Sequence, residues 1–384
     1  MDRGAHLLID RALRGLAAGD RLLVSEGDRH LDPHLRAFAR SRGHGLDGRA
    51  VVKGDAGDRR LAGAVRAGSA GPEAIVDDPP ASWGLAARGS LVEAGGPDLA
   101  SADLASRPQI WTDMAPKLYA QAAASQWDPA TAVDWSATTS LSAEELPDEI
   151  ETAVVQVMTY LVENEQAALM VPARFLGRIH PHFREVVQLL AVQVADEARH
   201  VEVFTRRARL RGFPLGVSGA GGRASLQTLL DEPDWSLASF LLSVLGEGTF
   251  LSLLSFLERW APDPVTRQVS RLALQDEARH VAFGLGHLTE EVADDPGLRD
   301  RLRAAIERRH DALASTSGLA ADVHDALVVL AAGSWAPAAI AEGWDKVAAL
   351  QADMDEGRRH RLVRLGFTGA EAAELSALHT KNFM

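Results

Sequence analysis

The sequence predicts a mainly α-helical protein that begins with a small α/β region. From about residue 143 onward, apolar residues recur at helical spacing in long stretches, which are separated by breaks rich in Gly and Pro. Two of these stretches contain the same charged pentapeptide, Asp-Glu-Ala-Arg-His, at 196–200 and at 276–280. These observations indicate a set of long packed helices that carries one polar feature twice.

The length of 384 residues exceeds one average domain and predicts two. Residues 1–110 are expected to form a small α/β domain, in which short helix-like and strand-like segments precede an irregular extension rich in Gly, Ala, Asp and Pro. Residues 111–384 are expected to form the helical domain. Its helices are predicted at 143–175, 182–211, 234–260, 264–292, 297–315, 319–350 and 368–380.

The composition excludes several classes of function. A net charge of −13 and a pI near 5.5 argue against binding to nucleic acid or to an anionic membrane, because both carry negative charge. No apolar stretch of about 18 or more residues is free of charge, and the N-terminus has no uninterrupted apolar core like that of a signal peptide, so a cytoplasmic protein is expected. Because the chain has no cysteine, any metal must be held by carboxylates and imidazoles.

The repeated pentapeptide has the spacing of a metal half-site. Residues three apart lie on one face of a helix, so Glu197 with His200, and Glu277 with His280, each present a carboxylate and an imidazole to the same side. In helical bundles that hold two metals, each of the two remaining helices supplies one further Glu.

The symmetry of a helical hairpin identifies the two further carboxylates. Glu165 and Glu197 stand at equal distances from the turn at Pro181, and Glu247 and Glu277 stand at equal distances from the turn at Pro262. Glu163 is the rival of Glu165, but its face of the helix is polar, whereas Glu165 lies in an apolar stripe. The predicted metal ligands are therefore Glu165, Glu197, His200, Glu247, Glu277 and His280.

The rest of the pentapeptide is predicted to support these ligands. A ligating His usually donates its other ring N–H to a carboxylate. The residue before each ligand Glu points toward the neighbouring helix, which predicts crossed pairs of His280 with Asp196 and of His200 with Asp276. Two arginines are expected to neutralise these aspartates: Arg199 and Arg279.

Four carboxylates and two imidazoles form a hard site that suits iron or manganese better than magnesium or structural zinc. Their four negative charges balance two divalent ions, so the cluster can be buried. A single Glu-x-x-His is most often a solvated surface pair, but two copies with symmetrical Glu partners favour metal binding. The alternative is a buried salt-bridge network without metal.

The pattern of two DEARH motifs, each preceded by a further Glu on the neighbouring helix, resembles that of the ferritin-like di-iron carboxylate proteins over about 143–292. These include bacterial multicomponent monooxygenases, the ribonucleotide reductase small subunit and acyl desaturases. The resemblance implies a ferritin-like four-helix bundle with additional C-terminal helices, two Fe ions with Mn as the other candidate, and O2 as co-substrate. It maps the six residues onto metal ligands, and Asp196 and Asp276 onto their hydrogen-bond partners.

Departures from the family narrow the function. The reductase subunit has a radical Tyr where this chain has Phe204, and the di-iron arylamine N-oxygenases have a third His where this chain has Ala273. The hydrocarbon monooxygenases place a Thr four residues after the third-helix Glu, where Leu251 stands here. A tyrosyl radical relay and a seven-ligand N-oxygenase are therefore disfavoured.

The expected function is a di-iron oxygenase or oxidase that acts on a small organic substrate, with an external electron donor such as a ferredoxin or a reductase. The alternative is a ferroxidase or iron-handling protein without organic turnover. Helices after residue 292 are expected to cap the bundle or to form a homodimer interface. A substrate pocket is expected beside the cluster, lined by Leu169, Phe204, Phe250, Leu251 and Phe283.

The N-terminus more faintly resembles the SirA-like sulfur-carrier proteins, over residues 2–45. That family requires a Cys-Pro pair after a glycine, where this chain has Ala5 and His6 after Gly4. The resemblance therefore implies a docking or dimerisation module that has lost sulfur chemistry.

Overall fold

The computed structural model describes residues 4–25, 30–55, 61–314 and 321–378. The chain divides into two compact units, one of Met1–Ala74 with Pro80–Leu99 and one of Ile75–Pro79 with Ala100–Met384. Residues 100–110, which the sequence groups with the N-terminal domain, lie in the second unit. Helix α3 (Arg107–Ile110) packs there on a long helix of the bundle.

The first unit contains a small antiparallel sheet with two helices. Its central strand pairs with both neighbours, so that Val51 lies opposite Leu22 and Leu46. A separate core of six buried residues includes Leu35 and Val51. The elements are α1 (Ala5–Arg14), β1 (Arg21–Leu23), α2 (Leu31–Ser41), β2 (Gly45–Asp47), β3 (Ala50–Val52), and a second two-stranded sheet of β4 (Val65–Arg66) and β5 (Leu91–Val92). The likeness to sulfur carriers stays a prediction.

The second unit is a ferritin-like helical bundle, which confirms the predicted mainly α fold. Two antiparallel hairpins form its centre, and the later helices pack around them. After α3 the helices are α4 (Ala115–Ala124), α5 (Ser136–Thr139), α6 (Asp148–Leu176), α7 (Arg184–Arg209), α8 (Ala220–Leu230), α9 (Trp235–Ser239), α10 (Gly248–Trp260), α11 (Pro264–Asp294), α12 (Leu298–Leu313), α13 (Ala321–Ala332), α14 (Pro337–Arg364) and α15 (Gly369–Ala377).

The single helix predicted over 319–350 is wrong, because the chain breaks there into α13 and α14. Gly333 has a φ of 67°, a left-handed conformation that ends α13. Ala336 is extended, since it precedes Pro337 at the first turn of α14. Helix α6 also begins later than predicted, directly after Pro147.

The predicted helix 234–260 is not uniform. Between α9 and α10, the segment Phe240–Glu247 is a π-helix, in which the hydrogen bonds span five residues. Within this segment the Val244 carbonyl accepts a hydrogen bond of 2.7 Å from Nε of Arg361 on α14. The π-helix ends at Glu247, one of the predicted metal ligands.

The segment Trp235–Trp260 is also long and apolar enough to cross a membrane. So is the pair of α13 and α14 if the two helices, which meet at 118°, are counted as one span. Most of Trp235–Trp260 is buried inside the protein, as expected for a core helix.

A fully buried ion network joins α6, α7 and the start of α11. Both terminal nitrogens of Arg207 donate to the Glu151 carboxylate, at 2.7 and 2.8 Å, and one also donates to Asp263 at 2.9 Å. Thr266 accepts from Arg207 Nε, and Thr138 donates to Asp263. The Arg207 guanidinium outweighs the effect of burial and holds the pKa of Asp263 below its ordinary value.

Candidate metal centre

The structure brings the six predicted ligands together in the centre of the bundle. Glu165 lies on α6, Glu197 and His200 on α7, Glu247 at the end of the π-helix, and Glu277 and His280 on α11. Each of the six side chains is at most 4% exposed. Glu163, the rival of Glu165, is not among them.

The ligand atoms form two overlapping groups of four. One comprises Glu165, Glu197, His200 and Glu277, and the other comprises Glu197, Glu247, Glu277 and His280. Within each group the atoms lie within 4.8 Å of one another. Glu197 and Glu277 belong to both groups, so both metal ions of a bound pair would share these two carboxylates.

The histidines have the crossed partners that the sequence predicts. His200 Nε2 lies 3.2 Å from Asp276 Oδ2, and His280 Nε2 lies 3.3 Å from Asp196 Oδ2. The opposite ring nitrogens face the carboxylates, with His200 Nδ1 3.1 Å from Glu197 Oε2. A proton held on Nε2 by Asp leaves Nδ1 as the ligand atom.

The two arginines of the repeated pentapeptide bond these aspartates. Arg199 pairs with Asp196 and also reaches Asp276 at 3.0 Å. Arg279 pairs with Asp276 on its own helix. The two arginines thereby compensate the negative charge of the aspartates.

Three further side chains donate hydrogen bonds to the ligands or to the two aspartates, and the sequence analysis does not predict them. Gln193 donates to Glu247 Oε1 at 2.9 Å, Gln126 donates to Asp196 Oδ1 at 2.9 Å, and Trp127 donates to Asp276 Oδ2 at 2.8 Å. Gln193 lies one turn before Glu197, so helical spacing could have identified it. Gln126 and Trp127 follow α4 in irregular chain, where no spacing rule applies.

The protonation of the site reflects its burial. Burial raises the pKa of Glu165 and of Glu247 well above the ordinary value, and neighbouring carboxylates add to this effect. Burial opposes the charged imidazole, yet the surrounding carboxylates raise the pKa of His200 and of His280 well above its usual range. Burial also opposes ionisation of Glu197, but the two imidazoles hold its pKa well below normal.

The donor atoms fit a pair of divalent ions. Among the described residues, four buried atoms of this cluster have no hydrogen-bond partner: Glu197 Oε1, Glu247 Oε2, Glu277 Oε2 and His280 Nδ1. His280 Nδ1 and Glu197 Oε1 are 3.0 Å apart, but their geometry does not make a hydrogen bond. Buried polar atoms normally have partners, and each of these four is an atom that metal ions use.

The five predicted pocket residues lie in different environments. Phe204, Phe250 and Phe283 are buried in the core, and the Phe204 ring lies 6.3 Å from that of His200. Leu169 is partly exposed. Leu251 instead lines a surface groove of about 440 Å³ between α10 and α14, so it is removed from the candidate pocket.

No protein-family model matches the sequence, and no curated protein matches it. Several solved structures are similar to this chain. They include an R2-like ligand-binding oxidase with an aerobically reconstituted metal cofactor after photoconversion (20% identity, TM-score 0.43, covering 68% of this chain and 94% of that one). An R2-like ligand-binding oxidase without metal cofactor has 20% identity and a TM-score of 0.45, and the match covers 68% of this chain and 96% of that one.

Proposed function

We propose that this protein binds two iron or manganese ions in the bundle and uses O2 to oxidise a small organic substrate. The observation that carries the proposal is the pair of overlapping ligand groups that share Glu197 and Glu277. Two shared carboxylates are the arrangement that holds two metal ions close together. A site for a single metal ion would need only one of the two ligand groups, and therefore only one Glu-x-x-His pair.

The ligand set favours redox-active metals. Carboxylate oxygens with one imidazole per ion suit iron or manganese, whereas magnesium prefers oxygen ligands and water, and structural zinc favours four ligands with tetrahedral geometry. Four carboxylates neutralise two divalent ions, which reduces the cost of burying them. When bound, such a pair of ions supplies electrons to O2.

Residues around the site orient the metal ligands and exclude water from them. Asp196 and Asp276 fix the two imidazoles through Nε2, and Gln193 orients the Glu247 carboxylate. Phe204 and Phe283, both fully buried, help to exclude water from the ligand faces. The substrate is expected to occupy the space beside these rings.

Metal analysis and O2 consumption test the proposal. Protein expressed in iron- or manganese-supplemented cells is expected to contain about two ions per chain by ICP-MS. The reduced, loaded protein should consume O2 and, with the right substrate, yield an oxidised organic product. Oxidation of added Fe2+ without any organic product would instead identify a ferroxidase. Less than about one ion per chain would contradict the two-metal site.

The remaining parts of the proposal concern its partners. An external ferredoxin or reductase would return electrons to the site after each turnover, in the cytoplasm. A second copy of the chain is expected to dock on helices after residue 292. Size-exclusion chromatography with light scattering tests the homodimer, and reduction by a purified ferredoxin–reductase pair tests the donor.

The Asp276→Asn variant should bind metal about 10- to 100-fold more weakly than the wild type. The amide is a poorer acceptor for His200 Nε2, so the imidazole loses its orientation and basicity. Competition with a metal-binding dye measures the affinity. Asp294→Asn, an exposed position on the same helix, is the matched control and should bind metal normally. Equal affinities for the two variants would show that the crossed pair does not support the ligand.

A further inference from the structure

A polar seam runs from the metal centre along the contact between α11 and the α9–π-helix segment. In this antiparallel pair, Ser243 faces Gly284, one turn beyond Glu247 and His280. One turn further on, Ser239 Oγ lies 2.7 Å from His287 Nε2. We call the line formed by Ser243, by Ser239 with His287, and by Ser236 with Glu291 the serine seam.

The last layer of the serine seam contains a buried acid. Ser236 Oγ donates to Glu291 Oε1 at 2.8 Å, and Glu291 is 7% exposed. Glu291 lies eleven residues after His280 on α11, which corresponds to about 16 Å of helix. Its Oε2 atom is buried without a hydrogen-bond partner among the described residues.

Polar groups at every layer of a buried helix contact are costly, since each must be desolvated. The residues beside the serines are apolar, among them Leu242, Val244 and Leu245. The serine side chains are each at most 5% exposed. The polar residues are therefore confined to the one line that connects the metal centre with Glu291.

Gly284 lets α11 pack closely against the π-helix at the layer of Ser243. A Cβ at this position would lie 2.4 Å from Ser243 Cβ, 2.9 Å from Ser243 Oγ and 3.6 Å from Ser239 Oγ. The first two contacts are closer than side-chain atoms pack, so only glycine fits opposite Ser243, and both hydroxyls lie within 4 Å of this position. A larger residue would displace Ser243.

We propose that the serine seam carries protons from Glu291 to Glu247 at the metal centre. This inference rests on the proposed function, because reduction of O2 consumes protons. Reduction of O2 to hydrogen peroxide by the two electrons that a bound pair of ferrous ions would supply consumes two protons. Glu291 holds a proton at the outer end, and the serine hydroxyls pass protons inward by exchanging donor and acceptor roles.

The environment of Glu291 suits a proton donor at neutral pH. Burial raises its pKa to about 7, although the Ser236 hydrogen bond opposes this. Of the charged groups around it, Asp234 and Asp295 raise the pKa, and Arg301 lowers it. His287 stays neutral, because burial lowers its pKa to about 3, and the Gln109 carbonyl accepts from its Nδ1. Its Nε2 therefore accepts from Ser239 and orients that hydroxyl.

Two variants and a matched control test the seam. Ser243→Ala removes one hydroxyl without enlarging the side chain, and Glu291→Gln removes the acid but keeps its shape. Ser270→Ala is the control, since Ser270 is equally buried on α11 but lies on the other side of the ligands. Each protein is loaded with Fe2+, its metal content is measured by ICP-MS, and its oxidation by O2 is followed in a single turnover.

With metal content unchanged, Ser243→Ala and Glu291→Gln should oxidise iron at least about tenfold more slowly than the wild type. Ser270→Ala should stay within about twofold. The wild-type rate should fall as the pH rises through about 7, where Glu291 loses its proton, and this step should vanish in Glu291→Gln. Unchanged rates in both seam variants would overturn the proposal.

Infrared spectroscopy of the metal-free protein provides an independent readout. One carbonyl band of a protonated carboxyl should titrate near pH 7 in the wild type and in Ser270→Ala, and this band should be missing from Glu291→Gln. The bands of Glu165 and Glu247, whose pKa values are also raised, should remain in all three proteins. Absence of the Glu291 band from the wild type would also overturn the proposal. A wild-type protein that binds no metal pair would reject the proposed function, and the seam with it. Full metal binding with unaffected seam variants would reject the seam alone.

Discussion

Replacing Glu197 by Gln should reduce the metal content of the purified protein from about two ions to about one or fewer per chain. Glu197 belongs to both ligand groups, so one substitution removes an anionic ligand from both metal positions. The amide also cannot balance the charge of the two ions. ICP-MS on protein from iron-supplemented cells measures this loss.

The control for Glu197→Gln is Glu202→Gln, which changes an exposed Glu on the same helix and should leave the metal content at the wild-type level. In the metal-free state, Glu197→Gln should unfold at a lower denaturant concentration than the wild type, because it removes the carboxylate that the two imidazoles stabilise. Wild-type metal content in Glu197→Gln would refute the bridging role. A large loss of stability with no metal in the wild type would instead favour a buried salt-bridge core.

Replacing Arg207 by Met should destabilise the protein by about 3–5 kcal/mol. Arg207 is fully buried and is the cation that both Glu151 and Asp263 contact, so its removal leaves two carboxylates uncompensated in the core. Chemical denaturation of the metal-free protein measures the effect. Arg209→Met, an exposed position on the same helix, is the control and should change stability by less than about 0.5 kcal/mol.

The same network predicts a pH dependence of stability. The pKa of Asp263 is depressed in the folded protein, so its contribution is present above the ordinary carboxyl range and is lost as the pH falls through the depressed value. The difference in the free energy of unfolding between the wild type and Arg207→Met should therefore become smaller as the pH falls into the acid range. A constant difference from neutral to acid pH would show that the ion network does not make this contribution.

The sequence was sufficient to predict the centre of the bundle. A spacing of three residues places Glu277 and His280 on one helical face, and hairpin symmetry identifies Glu165 and Glu247 without any further information. The crossed contacts of Asp196 and Asp276 follow from helix geometry alone. These predictions rely on regular helices, where sequence distance translates into position.

The sequence pattern predicts less where helical regularity ends. It does not reveal the break before Pro337, and the π-helix over Phe240–Glu247 has no apolar period of its own. Gln126 and Trp127 contact residues that are 70 and 149 positions away, through chain that is not helical. Such contacts depend on tertiary packing, which no local pattern encodes.

The π-helix makes the metal centre dependent on the C-terminal part of the chain. All six ligands lie before residue 281, yet the carbonyl of Val244, three residues before Glu247, is bonded by Arg361 on α14. A helix that carries an extra residue in a turn aims its next side chain about 100° away from the direction a regular helix would give it. The direction of Glu247 is thus set in part by a helix that contributes no ligand. A protein shortened to end after α11 would keep every ligand but lose the contact that stabilises the direction of one of them.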